Sequence, residues 1–363
     1  LTTNANKYLQ IFTALTDQIW SGKYVANQQL PSENELAKQY HVSRITSKRA
    51  LQELANIGLV ERRQGRGTFV RSGFTIHQQT GQILLIIPFA TEAGLGDYIA
   101  GIKAVLANRN QELVVVENNS FSTEQLDQLA TQYDGIIFYP QDLATELTQI
   151  NAILLRHFPF VLIDQTATGL PVPSVVADNI QGGYLATTTL IQHEHQKIAF
   201  LSKTGLTQAL NSSVAQRYFG YLQALSEHDL NFATTTKESY TLTQNDFVEL
   251  LPYLKAHQVS AIVCENDIMA LRLLEFLQQQ QINVPEQISV IGFDNIPKTA
   301  TSQPQLTTIT QNFREIGQQA ATLLQQRIDN PYDPQIKQIT VPVELMARAS
   351  VKTLPQPSEI KPN

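Results

Sequence analysis

Between residues 83 and 293 the chain alternates short, β-branched apolar runs with amphipathic stretches, and this rhythm constrains the fold more than any other feature. The runs are Ile83–Pro88, Leu113–Glu117, Gly135–Tyr139, Phe160–Asp164, Val175–Ala177, Lys197–Ser202, Ala261–Cys264 and Ser289–Phe293. Helix-period segments at Tyr98–Arg109, Asn179–His193, Ala215–His228 and Asp267–Gln280 lie between most of them. Apolar runs of this kind, spaced by helices, read as buried parallel strands, and a stretch this long implies two open α/β sheets. Ligands of such sheets sit at the carboxyl ends of the strands. There the sequence places Asp142, Asp164, Asn266-Asp267 and Asp294-Asn295. Asp and Asn also cap helices, so none of them alone marks a site. Several in one crevice suit a ligand rich in hydroxyls, since carboxylates and amides accept and donate while an arginine fork spans two neighbouring oxygens.

The first 73 residues follow another plan. They carry ten Lys/Arg against five acids, whereas the remainder has 16 basic and 27 acidic residues. A basic head on an acidic body fits a polyanion-binding module joined to something else. Residues 6–20 show a helical stripe of Tyr8, Leu9, Ile11, Phe12, Leu15, Ile19 and Trp20, which Gly22 ends. Ser32 with Glu35 three residues on forms a capping box for a short helix through Tyr40. Ser43 caps a third helix to about Ile57, whose apolar side reads as Ile45, Ala50, Leu51, Leu54 and Ile57, with Gly58 as the stop. Arg44, Thr46, Ser47, Lys48 and Arg49 then face outward near a helix N-terminus, which itself favours phosphate. Leu59–Arg63 and Thr68–Arg71 make a hairpin whose tip, Gln64-Gly65-Arg66-Gly67, presents one arginine between two glycines. Three helices and a basic hairpin describe a winged helix-turn-helix. The candidate DNA-contacting residues are Ser32, Glu33, Ser43, Arg44, Thr46, Ser47, Lys48, Arg49, Arg66 and Gly67.

Other classes of function fit poorly. A single cysteine, Cys264, precludes an internal disulfide and reads as a small buried hydrophobe. The longest apolar run, Ile83–Ala90, is far short of the ~20 residues of a membrane span, and the first residues lack the pattern of a signal peptide. The expected setting is therefore the cytoplasm. No GxSxG, P-loop or HExxH pattern occurs, and Gly65-Arg66-Gly67 lacks the third glycine of a dinucleotide fingerprint. His193-Glu194-His195, placed on a helix, would point in diverging directions rather than hold a metal. No catalytic residue, metal or cofactor is expected. A sugar-binding transport component is the alternative of another class, but it would need an export signal and has no use for a basic wing.

Leu30-Pro31-Ser32-Glu33, Leu36-Ala37, Val42-Ser43-Arg44, Arg49-Ala50-Leu51, Gly58-Leu59-Val60 and Arg63-Gln64-Gly65-Arg66-Gly67-Thr68-Phe69-Val70 resemble the GntR-type winged-helix domain. That resemblance implies DNA contacts by Arg44, Thr46, Ser47 and Arg49, with Arg66-Gly67 in the wing. Ser47-Lys48 stands where that family more often has an apolar residue and then Arg. Tyr133-Asp134-Gly135, Pro159 to Asp164, Arg217 to Tyr221, Cys264-Glu265-Asn266-Asp267, Ile288 to Asn295 and Arg348-Ala349-Ser350 resemble the effector domain of LacI/GalR-type regulators. This implies a two-lobed, periplasmic-binding-protein-like body in which Arg217, Asn266 and Asp294 hold sugar hydroxyls. Asp142, Gln311 and Phe313 fall at further pocket positions, the last offering its ring face to sugar C–H groups. The pairing of the two modules resembles the arabinose-responsive repressors of low-GC Gram-positive bacteria. It implies a homodimer on operator DNA that releases it on binding a small sugar. L-Arabinose is preferred, although nothing in the pocket residues separates a pentose from a hexose. The expected domains are 1–71 for DNA, 72–82 as linker, 83–350 for sugar binding and dimerisation, and 351–363 as tail.

Overall fold

The computed structural model describes residues 5–20, 22–56, 58–71, 80–88, 97–117, 125–156, 158–167, 169–203, 212–230, 241–243, 247, 250–329 and 336–355. Most of the expected linker and the end of the expected tail lie outside the described residues. The chain divides into two compact units, Leu1–Thr80 with Ala130–Gln132 and the remainder.

In the first unit α1 (Ala5–Trp20) turns Ile11, Leu15 and Ile19 inward. α2 (Glu33–Gln39) opens at the capping box: the Ser32 amide donates to Glu35 Oε2 at 2.7 Å, and the Glu35 amide to Ser32 Oγ at 3.3 Å. α3 (Arg44–Asn56) opens at Ser43, whose Oγ accepts from the Thr46 amide at 3.2 Å. Ala50, Leu51 and Leu54 of α3, which packs on both α1 and α2, are buried with Leu36 of α2 and with Leu59, Val60 and Val70 of the segment that follows. β1 (Val60–Arg63) and β2 (Gly67–Val70) pair antiparallel, with Val60 opposite Val70 and Arg63 opposite Gly67. One expectation fails here. Ile45, read as part of the buried side of α3, is 81% exposed. At 3.6 residues per turn it lies across the helix from Ala50, Leu51 and Leu54, so its apolar character does not make it core.

The second unit holds two six-stranded sheets. β3 (Gln82–Ile87), α4 (Tyr98–Leu106), β4 (Glu112–Glu117), α5 (Gln125–Gln132), β5 (Gly135–Phe138), α6 (Leu143–Leu155), β6 (Phe160–Ile163) and β7 (Ser174–Ala177) come first. α7 (Asn179–Gln192), β8 (Ile198–Ser202), α8 (Ser213–Glu227), β9 (Thr241–Thr243), α9 (Leu250–Ala256), β10 (Ala261–Cys264), α10 (Asp267–Gln279), β11 (Ser289–Asp294) and β12 (Thr307–Gln311) follow. α11 (Phe313–Asp329), β13 (Gln338–Val341) and β14 (Val343–Met346) complete the order. The sheets run β13-β7-β6-β5-β3-β4 and β14-β12-β11-β10-β8-β9. Every pairing is parallel except β12 with β14. The chain thus passes from one sheet to the other three times, and the two lobes share a crevice at their strand ends.

The strands are apolar because both faces are covered: β5, β6, β7, β8, β10 and β11 are buried throughout. α7 and α8 cross at Gly183 and Gly220. A Cβ on Gly183 would stand 1.9 Å from the Arg217 carbonyl oxygen, and one on Gly220 would stand 1.9 Å from that of Ile180. Two bare backbones in contact bring Arg217 down to the crevice.

Candidate functional site

The head presents cations from two elements. Glu33, at the start of α2, joins them: Arg44 Nε donates to its Oε2 at 3.0 Å, and Arg62 Nη2 to its Oε1 at 2.5 Å. Burial works against the Glu33 charge, but hydrogen bonds from Arg44 and then Arg62 outweigh it and hold the carboxyl below its usual range. Glu33 therefore ties the third helix to the hairpin. Arg49 is exposed with its guanidinium 4.0 Å from the centre of the Tyr8 ring, and Lys48 is exposed beside it. Arg66 stands exposed at the hairpin tip, where its carbonyl accepts from Gln29 Nε2 at 2.9 Å. Two of the expected outward residues do not face outward. Ser47 is fully buried and donates from Oγ to the Glu33 carbonyl at 2.7 Å, and Thr46 is 9% exposed with its hydroxyl on that of Ser43 at 2.8 Å. Ser47 thus packs on α2 and Thr46 on the cap of its own helix, so neither faces outward as expected. Ser32 and Ser43 serve as helix caps.

In the body, buried polar side chains gather where strands end. Arg217 is 4% exposed on α8. It donates from Nε to Asn179 Oδ1 at 2.9 Å and from Nη1 to the Glu265 carbonyl at 2.5 Å, and its guanidinium lies 3.8 Å from the centre of the Phe293 ring. Its Nη2 is 3.8 Å from Asp294 Oδ1, which also accepts from Gln311 Nε2 at 2.6 Å. Asp294 and Asp164 both have left-handed backbone, at φ 116° and 68°, so the ends of β11 and β6 turn sharply and aim their carboxylates into the crevice. Ser213 Oγ donates to Asp164 Oδ2 at 3.1 Å.

Burial sets the protonation of this cluster. It pushes Asp294 up to about 6 against the pull of Arg217 and a hydrogen bond from Gln311. Asp267 rises to about 8 through burial and the charge of Asp294, although Thr308 Oγ1 at 2.6 Å and the Ile296 amide at 2.9 Å donate to it. Asp164 is raised by burial, with Arg217 and the hydroxyls of Tyr139 and Ser213 opposing. The phenols of Tyr98 and Tyr139 lie well above their ordinary value because they are buried and close to the charge of Asp164. Two buried polar atoms here, Tyr98 Oη and Gln311 Oε1, have no hydrogen-bond partner. A buried polar atom without a partner costs stability, so the two orphans mark a place for a polar guest.

Of the six residues expected to hold the effector, the structure joins Arg217, Asp294 and Gln311 directly. Phe313 packs edge-on against Tyr98, ring centres 5.0 Å apart, rather than standing alone as a platform. Asn266 and Asp142 are committed as helix caps: Asn266 Oδ1 accepts from the Met269 amide at 2.8 Å, and Asp142 Oδ1 from the Ala144 amide at 2.9 Å, with Asp142 exposed. Tyr98, Tyr139, Asn179 and Ser213 were not foreseen. Asp164 was seen as a strand end and had a usable signal, whereas Tyr98 opens a helix, α4, and nothing local marks it. Among the described residues no three His, Cys, Asp or Glu are grouped to hold a metal. His193 and His195 lie beyond the end of α7 rather than on it. His195 is buried between Ser260 Oγ and the Lys352 carbonyl, and burial pushes it down to about 4.

Comparison with known proteins covers both units. Residues 7–70 match the family described as bacterial regulatory proteins, gntR family, and residues 187–351 match the periplasmic binding protein-like domain. The chain is 30% identical over 362 residues to the arabinose metabolism transcriptional repressor of Geobacillus stearothermophilus, covering 96% of this chain and 98% of that protein. It is also 30% identical over 335 residues to the repressor of the same description from Halalkalibacterium halodurans, covering 88% of each. A LacI family transcriptional regulator from Enterococcus faecium, solved with bound ribose, superposes with a TM-score of 0.63 at 25% identity, over 76% of this chain and all of that one.

Proposed function

Because the chain belongs to the family of transcriptional repressors that join a GntR-type head to a periplasmic-binding-protein-like sugar-binding body, we propose that it silences genes of L-arabinose use and releases its operator when that sugar fills the crevice. The observation that carries the sugar reading is the pair of unpartnered buried atoms, Tyr98 Oη and Gln311 Oε1, beside Arg217 and Asp294. Carboxylates accept sugar hydroxyls, while the arginine fork and the Gln311 amide donate to them. Tyr98 and Phe313 approach from the lobe opposite Arg217 and Asp294, so a bound sugar touches both lobes and favours the closed body. On the DNA side, Arg44, Lys48, Arg49 and Arg66 face the duplex. A homodimer in the bacterial cytoplasm, reading two half-sites, suits a regulator of this kind.

The likeness to the two arabinose repressors supports L-arabinose, and the ribose complex of the Enterococcus protein makes ribose the second candidate. Calorimetry on the full chain discriminates between them. Binding of L-arabinose at micromolar to millimolar concentration, lost in Arg217→Ala, is the expected result, and DNA binding by that variant persists at millimolar arabinose. Binding of ribose or a hexose with none of arabinose replaces the sugar and keeps the regulator. Trp20, the only tryptophan, lies in the head, so its fluorescence is no substitute for heat.

A further inference from the structure

Ile45 is out of place by the ordinary rule. Among the described residues of the first unit, the exposed large hydrophobics are Leu9 at 45%, Val25 at 52% and Ile45 at 81%. Ile45 occupies the second position of α3, on the side opposite Thr46, Ser47, Ala50, Leu51 and Leu54. Exposed cations surround it: Arg44 precedes it in sequence, and Lys48 and Arg49 follow one turn later on either side. An apolar centre inside a cationic ring calls for an occupant that is negatively charged at its edge and apolar in the middle. Another head would set like charges against like, and a plain hydrophobic partner would set the exposed cations against an apolar surface.

The major groove of DNA meets both demands, since phosphates line its walls and the thymine 5-methyl is the apolar group on its floor. We propose that Ile45 reads thymine, seating its branched side chain against the 5-methyl of one base in each half-site while the flanking cations hold the phosphates. A β-branched side chain on a helix has essentially one rotamer, so little freedom is lost when it docks. Ile45 is thereby a specificity-determining residue, and its role rests on the reading of α3 as the helix that enters the groove.

The test uses the full chain and a duplex that it selects from a random library, with each thymine replaced singly by uracil, which lacks only the methyl. For the unaltered protein, one thymine per half-site should show about a three- to fivefold loss of affinity, the worth of one buried methyl. Ile45→Ala should bind more weakly and be indifferent to uracil at that position alone, with its melting temperature and its dependence on salt unchanged. Ile45→Val should keep the sensitivity. If no uracil replacement weakens the unaltered protein, or if Ile45→Ala keeps the full sensitivity, the proposal is overturned while salt-dependent DNA binding stands. Failure of the unaltered protein to bind any duplex overturns the groove-entering helix and this proposal together.

Discussion

Asp294 carries a charge that its surroundings resist. Its carboxyl titrates near 6 in the folded protein rather than near 3.8, so the folded state binds an extra proton between those values. Stability contributed by this group is full below pH ~4 and is lost as pH rises through ~6. Asp294→Asn, which cannot ionise, should therefore melt higher than the unaltered protein at pH 7.5 and about level with it at pH 4, as thermal unfolding at the two pH values would show. The sugar tells the opposite story. An ionised Asp294 accepts hydroxyls and holds the Arg217 fork, so sugar affinity should fall as pH drops below ~6, with Asp294→Asn weak and flat across the range. Tyr98→Phe removes an unpartnered hydroxyl. Unliganded stability should rise by about 1 kcal/mol while sugar affinity falls roughly tenfold, both readable from one calorimetric series.

Helix caps matter most at the scale of elements. Ser32→Ala removes the Oγ that accepts from the Glu35 amide, leaving the Ser32 amide bond to Glu35 in place, and should cost about 1 kcal/mol, measured as faster amide exchange through residues 33–39. That box was legible because Ser and Glu three apart before a helix have one common use. The strand ends bearing Asp164 and Asp294 were legible for a similar reason, as a buried parallel strand has one wet end. The reading failed at Ile45 because it went by apolar character, whereas the helical period sets Ile45 across from Ala50, Leu51 and Leu54. Ser47 and Thr46 failed in the reverse sense: small hydroxyls pack as readily as they reach, and here Ser47 holds α3 to α2 while Thr46 closes on the cap of α3. β12, β13 and β14 were not read as strands, their runs being short and set late in the chain, and β13 far from β7, the strand it joins.

For the whole molecule, sugar and operator are linked ligands. Whatever factor the sugar takes from operator affinity, the operator must take from sugar affinity, so calorimetric titration with and without a saturating duplex should give that same ratio. Salt separates the two ends. With six to ten phosphate contacts, operator binding should weaken about 10³- to 10⁵-fold between 50 and 200 mM salt, whereas sugar affinity should scarcely move.

The order in which a ribosome delivers this chain matters as well. The core of the head draws on residues within the first 70 or so, but each sheet of the body takes an edge strand from beyond residue 337, β13 for one and β14 for the other. At roughly 5–20 residues per second, tens of seconds separate the emergence of the head from completion of the body. A message cut short before β13 should yield a fragment with a whole head and two unfinished sheets: a protein expected to grip DNA and to be deaf to the sugar that should loosen it.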